Sequence, residues 1–200
     1  DVVVAVGTRL QDFTTGSWSV FGNEQMRLIA INAARYDAHK HRALSVVGDA
    51  LAGIEELGHA LEDWKAPDTW ISQSRSLYAE WNTTVAQHSG PTTDVPPSYA
   101  HVIGAVNRVC DETDLALTAA GGFPGELCKN WKTKSSGTFD CEFGFSCMGY
   151  EIAGGWGAKM ADPDRDVIVF VGDGSYMMMN SDIYSSVLTG HKLIVVVCDN

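Results

Sequence analysis

Val167-Ile168-Val169-Phe170-Val171-Gly172-Asp173-Gly174-Ser175 and Leu193-Ile194-Val195-Val196-Val197-Cys198-Asp199-Asn200 are the two stretches whose reading decides the fold. Each is an aliphatic run of strand length that ends in oxygen-bearing side chains. Both are apolar at nearly every position, the habit of strands buried on both faces of a parallel sheet. Between them, Ser181-Asp182 can cap a helix running to Leu188, and Gly190 can end it. The spacing predicts a strand–helix–strand unit with a right-handed crossover.

Two parallel strands present their carboxyl ends to the same edge of the sheet, where ligands of open α/β sheets bind. Asp173 and Asn200 are therefore expected to converge. A carboxylate and an amide oxygen are hard ligands, suited to Mg²⁺ or Ca²⁺ and poor for zinc. Gly172 and Gly174 let the backbone come close to a ligand, and Ser175 with the amides after it can face a phosphate. The expected site holds a divalent cation that bridges a phosphorylated ligand. The plainer alternative is an Asp-Gly turn and a strand terminated by Asn200.

Gly172-Asp173-Gly174-Ser175 followed by Asn200 resembles the diphosphate–Mg²⁺ motif of thiamine diphosphate (ThDP) enzymes. The segment from Gly144-Phe145-Ser146-Cys147-Met148-Gly149-Tyr150-Glu151 to Lys159 resembles what those enzymes place before it. The similarity runs over the whole chain and is strongest from Gly121 onward. It implies ThDP and Mg²⁺ as cofactors, with Asp173 and Asn200 as metal ligands and Gly172, Gly174 and Ser175 at the diphosphate. It also implies that Gly121 and Gly122 contact the cofactor, that the Ser146 carbonyl accepts from the aminopyrimidine, and that Met148 wedges between the two rings. An unbranched thioether suits such a gap, although it equally suits an ordinary core.

The implied activity is hydrolysis of a C–C bond in a cyclic 1,2-dione during inositol breakdown, with the dione as small-molecule substrate. The alternatives are an acetolactate-synthase-type or glyoxylate-carboligase-type activity, or, outside catalysis, a phosphate-ligand-binding module. The resemblance also implies a homo-oligomer, dimer or tetramer. The family's cofactor-activating Glu comes from an N-terminal domain on a partner subunit. Glu142 and Glu151 do not match it, so no catalytic residue is assigned within the chain.

Composition narrows the classes. Fourteen Lys and Arg against 25 Asp and Glu leave a net charge of −11, which argues against a nucleic-acid surface. No apolar run reaches the roughly 18 residues of a membrane span. Five cysteines without a CxxC pair suit a reducing cytoplasm. The sequence opens without Met and stops on an expected ligand, so an internal piece of a longer enzyme is expected, inactive alone.

The remaining stretches give an α/β organisation. Val2–Val6, Arg27–Asn32 and Ala43–Val47 read as strands. Asp49 caps a helix with Leu51, Ile54, Leu57 and Leu61 on one face. Residues 1–66 are expected to be the C-terminal part of a central Rossmann-like domain, without the GxGxxG that NAD binding requires. His39-Lys40-His41 reads as helix surface rather than a metal pair. Residues 67–97 are expected to be a connecting helix and linker, and 98–200 a parallel-sheet diphosphate-binding domain, truncated at its C-terminus. There a helix over Ser98–Cys110 is expected to turn Val102, Val106 and Val109 to one side, and Leu115–Ala120 to lead as a strand into a glycine turn. Ala153–Ala161 reads as a helix of small residues that packs closely on the sheet. Met177-Met178-Met179 reads as core or interface filling rather than a copper site.

Overall fold

Three aliphatic runs near the start of the chain form one parallel sheet. In the computed structural model, which describes residues 1–199, β1 (Val2–Val6), β2 (Arg27–Asn32) and β3 (Leu44–Val47) lie in the order β1-β2-β3. The pairing is in parallel register, with Val4 opposite Ile29 and Ile31 opposite Val46. Leu28, Ala30 and Ile31 of β2 are buried, as expected of a strand flanked on both sides. The Asn32 side chain closes the carboxyl edge: its amide donates to the Thr8 carbonyl at 3.1 Å and its Oδ1 accepts from the Ala34 amide at 2.8 Å. Two one-turn helices, α1 (Asp12–Thr15) and α2 (Arg35–Ala38), lie in the connections.

Helix α3 (Ala50–Leu61) starts where its cap was expected, the Asp49 carboxylate accepting from the Ala52 amide at 3.0 Å. Its leucine stripe, however, is not a core face: Leu51, Ile54 and Leu61 are all exposed. The helix meets the sheet through Gly53 instead, where an added Cβ would stand 2.7 Å from Ile31 Cγ2.

The chain folds as two compact units, Asp1–Trp70 and Ile71–Asn200. The second unit takes in most of α4 (Asp68–His88), then α5 (Tyr99–Val109), β4 (Leu115–Thr118), α6 (Phe123–Asn130) and β5 (Phe139–Cys141). It continues with α7 (Tyr150–Ala161), β6 (Val167–Gly172), α8 (Asp173–Met179), α9 (Ser181–Leu188) and β7 (Ile194–Cys198). The four strands are parallel and lie in the order β5-β4-β6-β7.

Alternation along β6 supplies both faces of this sheet. Ile168 and Phe170 meet Ile103 of α5 and Phe123 and Leu127 of α6, with Ala116 of β4 between them. Val167, Val169 and Val171 meet Ile152 of α7 on the other face. Edge-on ring contacts link Tyr99 to Phe123 at 4.8 Å, and Phe170 to Phe123 and Trp131 at 5.4 and 5.6 Å.

Two close approaches depend on glycine. A Cβ on Gly155 of α7 would stand 2.5 Å from Val169 Cγ2, and one on Gly104 of α5 would stand 1.9 Å from the Ser89 carbonyl oxygen. The small-residue helix expected from Ala153 onward is present and begins at Tyr150. The apolar side of α5 follows the valine stripe only in part: Val106 packs on the core with the buried Ile103 and Cys110, and Ala100 is buried, while Val109 is 81% exposed. The same helical period, started at Tyr99 instead of Val102, gives the observed face. In α9 no side-chain cap bond forms, and Asp182 lies in its first turn. Met179 packs against the core, whereas Met177 and Met178 are exposed.

Candidate functional site: the carboxyl edge of the second sheet

The winding of the second sheet makes the site. From β4 the chain moves one way to β5, and from β6 it moves the other way to β7. The helices that follow β4 and β6 lie on opposite faces, α6 against Ile168 and Phe170 and α9 against the valine face. A crevice opens between carboxyl ends at such a reversal, and ligands of open α/β sheets bind there. The turn Ala119–Gly122 stands on one side of it and Gly172–Ser175 on the other.

Gly172 closes β6 in extended conformation, and Asp173 opens α8 directly. Parallel register sets Gly172 beside Cys198, so β7 reaches the same rim as β6. Asn200, the second expected metal ligand, lies outside the described residues. Among the described residues the Asp173 carboxylate makes no hydrogen bond or ion pair. It is half-buried and is felt electrostatically by the Tyr99 hydroxyl. Burial pushes that phenol up from its ordinary value, and Cys198, Asp173 and Glu126 push it the same way. Tyr99 also touches the β4 turn, since a Cβ on Gly122 would stand 3.0 Å from its hydroxyl. Gly121, at φ +80°, makes the turn itself. Sequence reasoning missed Tyr99, which looks like one more apolar-face residue of α5.

The segment before α7 is held from both ends. Glu142 follows β5 and accepts from the Phe145 amide on one oxygen and the Cys147 amide on the other, each at 2.9 Å. Those bonds, Cys147 first, draw its carboxyl below the usual value. Ser146 sits at φ +52° and Gly149 at φ +94°, which turns the chain sharply around Met148. The Met148 side chain is 47% exposed. Its Cε lies 3.4 Å from where a Cβ on Gly174 would be, so the thioether rests on the first turn of α8. Gly149 is obligatory twice over, because its Cβ would also come within 2.4 Å of Met179 Cγ.

Beneath these segments lies a carboxylate that the motif did not flag. Glu151 is fully buried. Its Oε1 accepts from the Ala120 amide at 2.8 Å. Its Oε2 accepts from the Gly149 amide at 3.0 Å and the Ser175 hydroxyl at 2.6 Å. The Ser175 hydroxyl in turn accepts from the Gly149 amide at 2.7 Å. Ser175 is thus buried and engaged inward, and its backbone is the part left for a ligand. The signal available in sequence was the lone acidic residue of a helix whose only other charge is Lys159.

The structure therefore sets Met148 on Gly174 and bonds the Gly149 amide to the Ser175 hydroxyl, with Ser146 two residues before Met148, while Tyr99 stands against Gly122 and within electrostatic reach of Asp173. The donor set fits a hard cation. Among the described residues no three His, Cys, Asp or Glu side chains converge as a metal cage. An unpartnered carboxylate at a strand end suits Mg²⁺, which is commonly bound by one or two carboxylates together with phosphate oxygens and water. In the first unit, His39 and His41 are spent separately. His39 Nδ1 lies 2.8 Å from the Arg35 carbonyl, and His41 stacks on Trp18 with centroids 3.9 Å apart.

Residues 119–200 match the family model of the thiamine pyrophosphate enzyme C-terminal TPP binding domain. Relatives similar over the entire chain carry a more particular name. A 3D-(3,5/4)-trihydroxycyclohexane-1,2-dione hydrolase of Geobacillus thermodenitrificans is 34% identical over 221 aligned residues, which cover 100% of this chain and 34% of the relative. Proteins of the same name from Bacillus cereus and Clostridium botulinum are 34% and 31% identical, each with 35% of its length covered. The chain thus spans about a third of the length of the curated relatives it matches.

Proposed function

We propose that the chain is part of a ThDP- and Mg²⁺-dependent enzyme that hydrolyses a C–C bond in a cyclic 1,2-dione, trihydroxycyclohexane-1,2-dione to 5-deoxy-D-glucuronate. The carrying observation is the grouping of Met148, Gly174 and Ser175 beside Asp173, which makes no hydrogen bond or ion pair among the described residues, at the carboxyl edge of β6. Similarity to the dione hydrolases over all 200 residues favours this substrate over an acetolactate-synthase or glyoxylate-carboligase type of reaction.

ThDP supplies a nucleophilic carbon and an electron sink. The chain's own residues bind and orient. Asp173, with Asn200, holds Mg²⁺, and the backbone at Gly172, Gly174 and Ser175 faces the diphosphate. Gly121 and Gly122 admit the cofactor closely from the β4 side. Met148, propped on the first turn of α8, supplies the apolar wedge, and Ser146 offers its carbonyl. None of the described residues is assigned the proton transfer that activates the cofactor. An oligomer is proposed, in which that group comes from another domain.

Calorimetry on the intact protein tests the reading. Saturable ThDP binding that requires Mg²⁺, lost in Asp173→Ala together with turnover of the dione, is the expected result. Binding of a different phosphorylated ligand, with no response to ThDP and Mg²⁺ together, would identify a non-catalytic module. ThDP binding with turnover of pyruvate or glyoxylate instead of the dione would change the substrate and keep the class.

A further inference from the structure

Glu151 has no solvent exposure, and none of the roles assigned above uses it. A carboxylate removed from water is tolerated only where hydrogen bonds replace its hydration. Its three donors are the Ala120 amide, the Gly149 amide and the Ser175 hydroxyl. They come from three separate segments: the turn after β4, the loop before α7 and the first turn of α8. Each donor is next in sequence to a cofactor contact proposed above, Ala120 before Gly121, Gly149 after Met148 and Ser175 after Gly174. A side chain needed only to fill space under the crevice would be served by an apolar residue of the same volume.

We propose that Glu151 is a positioning residue: its buried carboxylate, bonded to Ala120 N, Gly149 N and Ser175 Oγ, locks the three cofactor-facing segments into one geometry. This rests on the thiamine reading of the site. Removing the lock leaves every contacting residue in place and lets the segments move independently. Displacement of about an ångström is enough to weaken a preorganised site greatly.

The test compares wild type with Glu151→Gln in the intact protein, by calorimetry with ThDP at saturating Mg²⁺ and by amide hydrogen exchange. Gln keeps the volume and one oxygen but turns an NH₂ toward the amide donors. The Kd for ThDP is expected to rise about tenfold to a hundredfold, with faster exchange at Ala120 and Gly149 in a protein that still melts cooperatively. A role in stability alone would lower Tm and leave the Kd of the folded protein unmoved; that outcome overturns the proposal. If Glu151→Gln fails to fold, Ser175→Ala decides, since it deletes one donor and leaves both backbone bonds. Wild-type affinity and unchanged exchange at Gly149 in that variant would overturn the proposal equally. Absence of ThDP binding in the wild type would instead refute the thiamine reading and the proposal with it.

Discussion

Glu142 shows how one exposed-side carboxylate can organise a loop by spending both oxygens on backbone amides. Its folded value lies below its ordinary 4.5, so the unfolded chain takes up a proton first as the pH falls. The stabilisation is complete above 4.5 and is lost as the pH drops through the folded value. Amide signals of Phe145 and Cys147 are expected to shift together as the pH is taken below 4.5, and Glu142→Gln is expected to abolish that titration. A second contrast concerns two cysteines of this region. Burial, reinforced by Cys128 and by carboxylates at Asp140, Glu142 and Glu151, pushes the Cys141 thiol up to about 12. Cys147 is exposed. At pH 8 a thiol near 12 is ionised to roughly one part in ten thousand. Peptide mapping after brief iodoacetamide treatment is therefore expected to find Cys147 modified and Cys141 intact.

Elements differ in how plainly the chain announces them. Arg27–Asn32 was readable to the residue, because an unbroken aliphatic run between polar loops has few other uses. The strand ending at Gly172 was readable for the same reason, β6 being apolar up to that residue. Strand β5 was not: Phe139-Asp140-Cys141 is three residues long with a charge at its centre. Its Asp140 is accommodated by the Tyr150 hydroxyl at 2.9 Å, ten positions on. Helix α6 was also missed, since Phe123-Pro124-Gly125 looks like a turn although proline is welcome in a first helical turn. Glu151 was present in the motif but illegible as a hub, because its three donors lie 31, 2 and 24 positions away. At this scale Gly149→Ala is expected to destabilise by about 1–3 kcal/mol, from its φ of +94° and the Met179 clash. Gly104→Ala is expected to be at least as damaging, because the atom it meets is a backbone oxygen that cannot rotate away. Urea denaturation of both variants measures these effects.

At the scale of the whole molecule the parallel sheets are separable from the chemistry grafted on them. Asp173 makes no hydrogen bond or ion pair among the described residues, so it contributes little to folding. Asp173→Ala is expected to leave the thermal midpoint of the cofactor-free protein within about 2 °C of wild type, while ThDP no longer raises it. Differential scanning calorimetry with and without ThDP and Mg²⁺ reads both halves of that expectation. The crevice, by contrast, owes nothing to any single side chain at its mouth. It exists because the connections after β4 and β6 depart toward opposite faces of the sheet. Mouth residues can therefore be exchanged wholesale by mutation while the hollow persists, so divergence in such a lineage is free to alter what is bound long before it alters the vessel.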